Sequence, residues 1–239
     1  MSIISAPTTP PAAGDALSPL ELPPLENGDR LTRAEFRRRW QAMPQLKRAE
    51  LVEGVVYMAA AIRHRQHGQP HRRLIGWIDR YITDTPGIDG GDNATITLDE
   101  RNDPQPDAYM LLPQTFGGRA LERGDGFLQG PPALVAEVAA SSSGIDLHDK
   151  FRVYQQHGVQ EYIVWRVLDR AIDWFVLEGE AYRPLVAAAD GIHRSRVFPG
   201  LWLDAPAMIA GSAKQVYAVL DQGLASPEHA DFVARLGGT

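Results

Sequence analysis

The sequence predicts a mixed α/β (α+β) domain in which one central β-sheet is flanked by helices. Three observations carry this. Segments of helical period and segments of strand period alternate along the chain, with no internal repeat. The run "ALVAEVAA" is apolar on both faces, the pattern of a strand covered above and below. The chain has 239 residues, 44% of them hydrophobic and 23% charged, which is enough to bury a substantial core.

Residues 1–29 are rich in Pro, Ala, Ser and Thr and hold no period long enough to bury a face. They read as a Pro-rich N-terminal tail ahead of a single domain over residues 30–239. Order begins at "LTRAEFRRRW", where Thr32 and Glu35 have capping-box spacing and Phe36 and Trp40 share the inward side of a short helix. "AELVEGVVYMAA" then reads as a hairpin turning at Gly54. From His67 to Ile82 apolar residues recur at helical spacing, until "TPG" stops them. Strands follow at "NATITLD", "PDAYMLL" and "ALVAEVAA". The last two are separated by the Gly-rich "TFGGRALERGDGFLQGPP", expected to be a surface loop. Ser141 to Ser143 lack the G-x-S-x-G surroundings of a nucleophile and read as a polar turn. Asp146 can then cap a helix running to His157 and stopping at Gly158. "EYIVWRVL" and "AIDWFVLE" suit a hairpin through "DR", followed by "AYRPLVAA" and a closing helix near residues 213–220.

Composition narrows the chemistry. There is no cysteine, so disulfides, zinc-thiolate sites and thiol catalysis are excluded, and a cytoplasmic setting is expected. No apolar run approaches the roughly 18 residues of a membrane span, and the first residues do not resemble an export signal. The net charge of −6 argues against an anionic partner, yet between Arg30 and Arg80 there are 12 Lys/Arg against 4 Asp/Glu. That basic segment is either the solvated side of helices or a nucleic-acid surface. Within it, Arg63, Arg65, Arg72 and Arg73 surround His67 and His71, which lie one helical turn apart. The histidine spacing suits a transition metal, but no third ligand is in view, and contact with phosphate fits better.

Two strand carboxylates stand out. Asp107 opens the strand after Pro106, and Glu137 sits inside the next apolar strand, where an ionised group needs a partner. If the strands pair, both carboxylates can converge on a hard cation, Mg²⁺ or Mn²⁺; the alternative is a salt bridge to one of the 21 arginines. Should the ion be its sole partner, replacing Glu137 by alanine would stabilise the fold. Lys150 is one of only three lysines, so its place just after this strand is not background usage. Its ammonium can orient or help deprotonate a water attacking a phosphodiester, or it can be a plain surface lysine. Read as surface-reachable, it is expected to leave metal affinity intact when removed.

These residues match a known pattern. "PDAYM" followed by "LVAEVAASSSGIDLHDKFRVYQQHGVQEYIVW" resembles the Uma two family of bacterial endonucleases, domain of unknown function 820, in the PD-(D/E)XK nuclease superfamily. The likeness runs from "TRAEF" through "AELVEG" to "VFPGLWL", about residues 31 to 205. The resemblance implies a restriction-endonuclease-like core, with Asp107, Glu137 and the Val138 carbonyl on the metal and Glu50 as a further acidic ligand, Glu53 being the other choice. The superfamily lysine stands two residues after the glutamate, where this chain has Ala139; the family places it on the next helix, at Lys150. The expected function is a Mg²⁺- or Mn²⁺-dependent endonuclease that hydrolyses DNA, without membrane association, and compatible with a homodimer. The rival expectation is a non-catalytic nuclease-like module that binds nucleic acid or a partner protein. A small-molecule-binding domain is disfavoured, because no phosphate-cradling glycine motif follows a strand.

Overall fold

The structure is a computed structural model that describes residues 22–58, 62–140 and 144–237. Most of the expected N-terminal tail (1–21), the end of the "VVYMAA" run and the Ser141–Ser143 turn lie outside the described residues.

Helix α1, Arg33–Gln41, starts at Thr32, whose hydroxyl accepts the Glu35 N–H at 3.4 Å. The reciprocal half of the capping box is not made, because the Glu35 carboxylate pairs with Arg38 and Arg39. Strands β1, Ala49–Val52, and β2, Val55–Met58, form an antiparallel hairpin. Its turn, Glu53-Gly54, has φ of 52° and 78°, the two positive values required by the mirror-image turn that matches strand twist. Leu25 and Phe36 join Ala49, Leu51 and Val56 of the hairpin in a small core of their own. A π-helical turn, His64–Gly68, leads into α2, Gln69–Thr83, which buries Leu74, Trp77, Ile78 and Tyr81 on one stripe.

The chain then forms β3 (Asp89–Gly91), β4 (Ile96–Thr97), β5 (Ala108–Leu111), β6 (Leu121–Glu122), β7 (Leu128–Gln129) and β8 (Leu134–Ala139). A second π-helical turn, Ile145–Asp149, runs into α3, Lys150–His157, ended by Gly158 at φ 74°. Next come β9 (Glu161–Arg166), β10 (Ala171–Glu178), β11 (Ala181–Pro184), β12 (His193–Arg194) and β13 (Trp202–Leu203). Helices α4 (Ala205–Ala210), α5 (Ala213–Leu224) and α6 (Pro227–Leu236) close the described chain.

The central mixed sheet has the order β11-β10-β9-β8-β5-β3. Only β8 and β9 are parallel; the crossover between them is α3. Every residue of β8 is buried, because helices cover both faces. Leu134, Ala136 and Val138 pack with α2 and the C-terminal helices, while Val135 and Ala139 pack with Tyr154 of α3 and Tyr162 of β9. By strand alternation Glu137 shares the α3 face.

Three local expectations differ from the structure. The Gly-rich stretch is not loop throughout, since β6 and β7 pair with each other and β7 runs parallel to β4. Asp146 lies inside the π-helical turn, Ile145–Asp149, and not at its N-cap, and its side chain is buried towards Lys150. Helix α6, which the sequence reading passed over, begins at Ser226, whose hydroxyl accepts the His229 N–H at 3.3 Å ahead of Pro227.

Glu161, at the start of β9, anchors the segment after β12. Its carboxylate accepts the Ser195 hydroxyl at 2.7 Å and the Arg196 and Val197 N–H groups at 2.7 and 3.2 Å. Burial outweighs these donors and pushes its pKa up to about 7. The folded carboxyl thus keeps its proton to higher pH than the unfolded one, so this contribution to stability is complete below pH 4.5 and is lost as pH rises to about 7. The loss amounts to about 3 kcal/mol. Glu161→Gln, which cannot ionise, should flatten this decline in urea unfolding measured from pH 4.5 to 7.5; an unchanged slope would assign the decline elsewhere.

Candidate active site

The site forms where three segments meet above the α3 face of the sheet: the β1–β2 hairpin, the entrance to β5 opposite β8, and the first turn of α3. Ala108 pairs with Ala136, so Asp107 enters the sheet opposite Glu137. The two are knitted by crossed bonds. The Val138 N–H donates to Asp107 Oδ2 at 2.8 Å, and the Asp107 N–H points at Glu137 Oε2 at 3.3 Å. Val138 therefore meets Asp107 through its backbone N–H.

Lys150 points inward and is 4% exposed. Its ammonium donates to Glu50 Oε1 at 2.9 Å and Glu137 Oε1 at 3.0 Å, with Asp146 Oδ1 at 3.8 Å. Tyr154, one turn further along α3, donates its hydroxyl to the same Glu137 oxygen at 3.1 Å. Glu50 is fixed from β1 by the Gln105 N–H at 2.6 Å. Tyr57, opposite Glu50 in the hairpin, donates to Asp149 at 3.0 Å and ties the hairpin to the start of α3. Glu53, the other acidic choice, lies at the hairpin turn paired with Arg152, away from this cluster.

The histidines also belong here. His67 Nε2 lies 3.1 Å from both Asp107 oxygens, and His71 Nε2 lies 2.9 Å from the Asp107 carbonyl oxygen, with the two rings stacked at 5.5 Å. Their helical spacing serves to hold one aspartate from two turns. Of the arginines, Arg63, Arg65 and Arg72 are exposed, and no carboxylate pairs with them among the described residues. Arg73 is half-buried, its guanidinium lying over Gly211 at the end of α4, where a side chain at 211 would collide with it. Arg48, absent from the sequence reading, comes within 3.6 Å of Asp107. Nothing in its local pattern separates it from the other basic residues of that segment. Tyr154 did carry a signal, its four-residue step from Lys150.

Charge in the cluster is unbalanced. Glu50, Asp107, Glu137 and Asp146 outnumber the bases beside them, Lys150 and Arg48, even with His67 beside Asp107. Burial drives the Glu137 pKa well above the usual carboxylate range; the Lys150 charge opposes the rise, and Asp146, Asp107 and Glu50 add to it. For Asp107 burial also raises, but the hydrogen bond and charge of His67, the Val138 N–H and Lys150 outweigh it and hold the carboxyl below its ordinary value. Lys150 loses hydration on burial, yet Glu137, Glu50 and Asp146 keep it firmly protonated. A hard divalent cation suits such a set, because the donors are carboxylate oxygens and their surplus charge is negative. Among the described residues no three acidic or imidazole side chains stand as a ready ligand trio, since Lys150 lies between Glu50 and Glu137.

A family model described as "Putative restriction endonuclease", Uma2, matches residues 33–206. The chain belongs to the Uma2 family. The matched span holds Glu50, Asp107, Glu137, Lys150 and Tyr154, and α5 and α6 lie beyond it. The Uma2 chain is also similar to a solved structure titled "Crystal structure of a putative nuclease belonging to DUF820 from Anabaena variabilis ATCC 29413", at 12% identity and a TM-score of 0.48, over 67% of this chain and 90% of that one. No curated protein matches it. No helix among the described residues is long and apolar enough to cross a membrane.

The pairing of Glu137 corrects one expectation about stability. It is held by Lys150, Tyr154 and the Asp107 N–H, so Glu137→Ala leaves buried donors unmatched and should lower unfolding free energy by about 3 kcal/mol or more. Glu137→Gln keeps an acceptor for both side chains and removes surplus charge, and should stay within about 1 kcal/mol of the parent. Urea titration at pH 7 compares them. Equal losses would mean that charge, not hydrogen bonding, is what Glu137 contributes.

Proposed function

We propose that this Uma2 protein is a metal-dependent endonuclease that hydrolyses phosphodiester bonds in DNA. The observation that supports the reading most is the meeting of Glu50 and Glu137, from separate strands, on the buried ammonium of Lys150, with Asp107 tied to Glu137 and Val138 beside them by backbone hydrogen bonds. Structural ion pairs need one acid per base, whereas this cluster keeps an excess of acid in a buried place where it is costly.

Glu50, Asp107 and Glu137 would hold Mg²⁺ or Mn²⁺, which when bound supplies Lewis-acid stabilisation of phosphoryl charge. Lys150, held protonated by the carboxylates around it, would donate to the attacking water, orient it and stabilise the negative charge that develops on its oxygen. Tyr154 and the Val138 N–H hold the Glu137 and Asp107 carboxylates in place. His67 and His71 fix the side chain and the carbonyl of Asp107, respectively. Arg63, Arg65 and Arg72, exposed and without a carboxylate partner among the described residues, would contact backbone phosphates, a sequence-independent attraction. Substrate would approach past Glu50, His67 and Arg48, whose side chains are the partly exposed ones.

One observation favours the rival reading of a non-catalytic binding module: Lys150, Tyr154, His67 and the Val138 N–H already engage oxygens of Glu137 and Asp107. Cleavage decides between them. Plasmid and single-stranded DNA incubated at low salt should be cut with Mg²⁺ or Mn²⁺ and spared with EDTA, and Lys150→Met should cut at least about 10²-fold more slowly. No cleavage of either DNA with either metal would favour the binding module. Independently, reversing charge at Arg65 and Arg72 should weaken DNA binding for all sequences and flatten its salt dependence by about one phosphate contact per residue. Unchanged binding would leave both as solvated surface.

A further inference from the structure

We propose that the Lys150 ammonium holds the place of the cation in the metal-free site, and that a divalent ion binds by displacing it from Glu50. The proposal rests on the metal-site reading above and adds to it an order of events.

An ammonium has three N–H donors, and three carboxylates stand around this one: Glu50 and Glu137 at 2.9 and 3.0 Å and Asp146 at 3.8 Å. Each of the two nearer contacts is made by one carboxylate oxygen at the distance of an ammonium hydrogen bond. Mg²⁺ needs its oxygens at about 2.0–2.1 Å. An ion at the position of the Lys150 nitrogen would have these oxygens at 2.9 and 3.0 Å, so they must close in to bind it, in keeping with the lack of a ready ligand trio among the described residues. The ammonium and a divalent ion also repel each other, and burial leaves little water to screen them. Both cannot sit between Glu50 and Glu137.

Of the two contacts, that with Glu50 is the one to yield. Glu137 and Lys150 are both buried and are joined by Tyr154, which shares the same Glu137 oxygen from the same helix as Lys150. Glu50 is the more exposed partner, on a hairpin with its own small core. Its carboxylate keeps the Gln105 N–H when Lys150 leaves. The freed ammonium donors then face the position of the attacking water. Metal loading and the arming of Lys150 become one event, and until then the ammonium offsets part of the acid surplus.

The test reads metal uptake, not turnover. Mn²⁺ is titrated into the full chain, free ion being followed by its paramagnetic resonance signal, for wild type, Lys150→Met, Lys150→Gln and Glu137→Gln. Both Lys150 variants should bind Mn²⁺ at least tenfold more tightly than wild type, and Glu137→Gln should bind far more weakly. Equal or weaker binding in the Lys150 variants, with wild-type binding that depends on Glu137, overturns the displacement while leaving the metal site standing. No uptake by any of the four overturns both. A second measurement needs no Lys150 variant. The chain has three lysines, of which Lys47 and Lys214 are exposed, so in ¹⁵N-lysine-labelled wild type Lys150 supplies the one buried Nζ signal. Saturating Mg²⁺ should move that signal; a signal that stays in place while Mg²⁺ competes with Mn²⁺ for the site overturns the proposal.

Discussion

The buried ammonium of Lys150 is the contact on which the functional end of this protein depends. From the first turn of α3 it reaches the β1–β2 hairpin through Glu50 and the central strand through Glu137, with Asp146 of the preceding turn at 3.8 Å. Glu50 lies 100 residues from Lys150 in the chain; the hairpin has a small core of its own with α1 and is tied to α3 also by Tyr57 and Asp149. A buried ion pair contributes little net stability when compared with apolar packing, because desolvation cancels most of the attraction. Removing one partner is a different matter, since the charges left behind have no water to turn to. The cluster therefore acts as a constraint on geometry more than as a source of stability.

The sheet explains why the carboxylates can be held so closely. Asp107 and Glu137 face each other across an antiparallel pair, and each contributes a backbone N–H or a carboxylate to the other strand's side of the site. The β8–β9 pair is parallel and needs a crossover, and α3 is that crossover. Its first turn is thus delivered above the middle of β8, with Lys150 and Tyr154 one turn apart on the face that meets Glu137. The topology that buries β8 also brings a cation and a phenol to its acid.

Helix α2 links the basic segment to the same place. Its apolar stripe packs in the main core, while the π-helical turn before it carries exposed Arg63 and Arg65 and turns His67 onto Asp107. Strand β13 and helix α6 brace it from behind: Trp77 donates to the Trp202 carbonyl at 2.9 Å, and His229 of α6 meets Thr85, just past the end of α2, at 2.9 Å. Arg73 belongs to this packing side, over the end of α4. A chain acidic overall thus carries, among the described residues, arginines without a carboxylate partner on the same helical segment as the histidines that hold Asp107.

The sequence alone determined the elements whose signals are local: the Thr32 cap, the hairpin turn at Gly54, the α2 stripe, the buried strand around Glu137 and the glycine that ends α3. It also singled out Glu137 and Lys150, because a carboxylate in an apolar strand and a scarce lysine just after it are visible without coordinates. Short strands such as β6 and β7 were not legible, since a two-residue ladder leaves no period to read. Nor was the inward direction of Lys150, which a helical pattern shared by surface lysines does not specify. Only the tertiary structure decided that Glu50 and not Glu53 joins the cluster, that both histidines hold Asp107, and that Arg48 stands beside it. Each of those pairings spans dozens of residues, and a contact at that range is set by how the sheet, crossover and hairpin pack, which no local periodicity encodes.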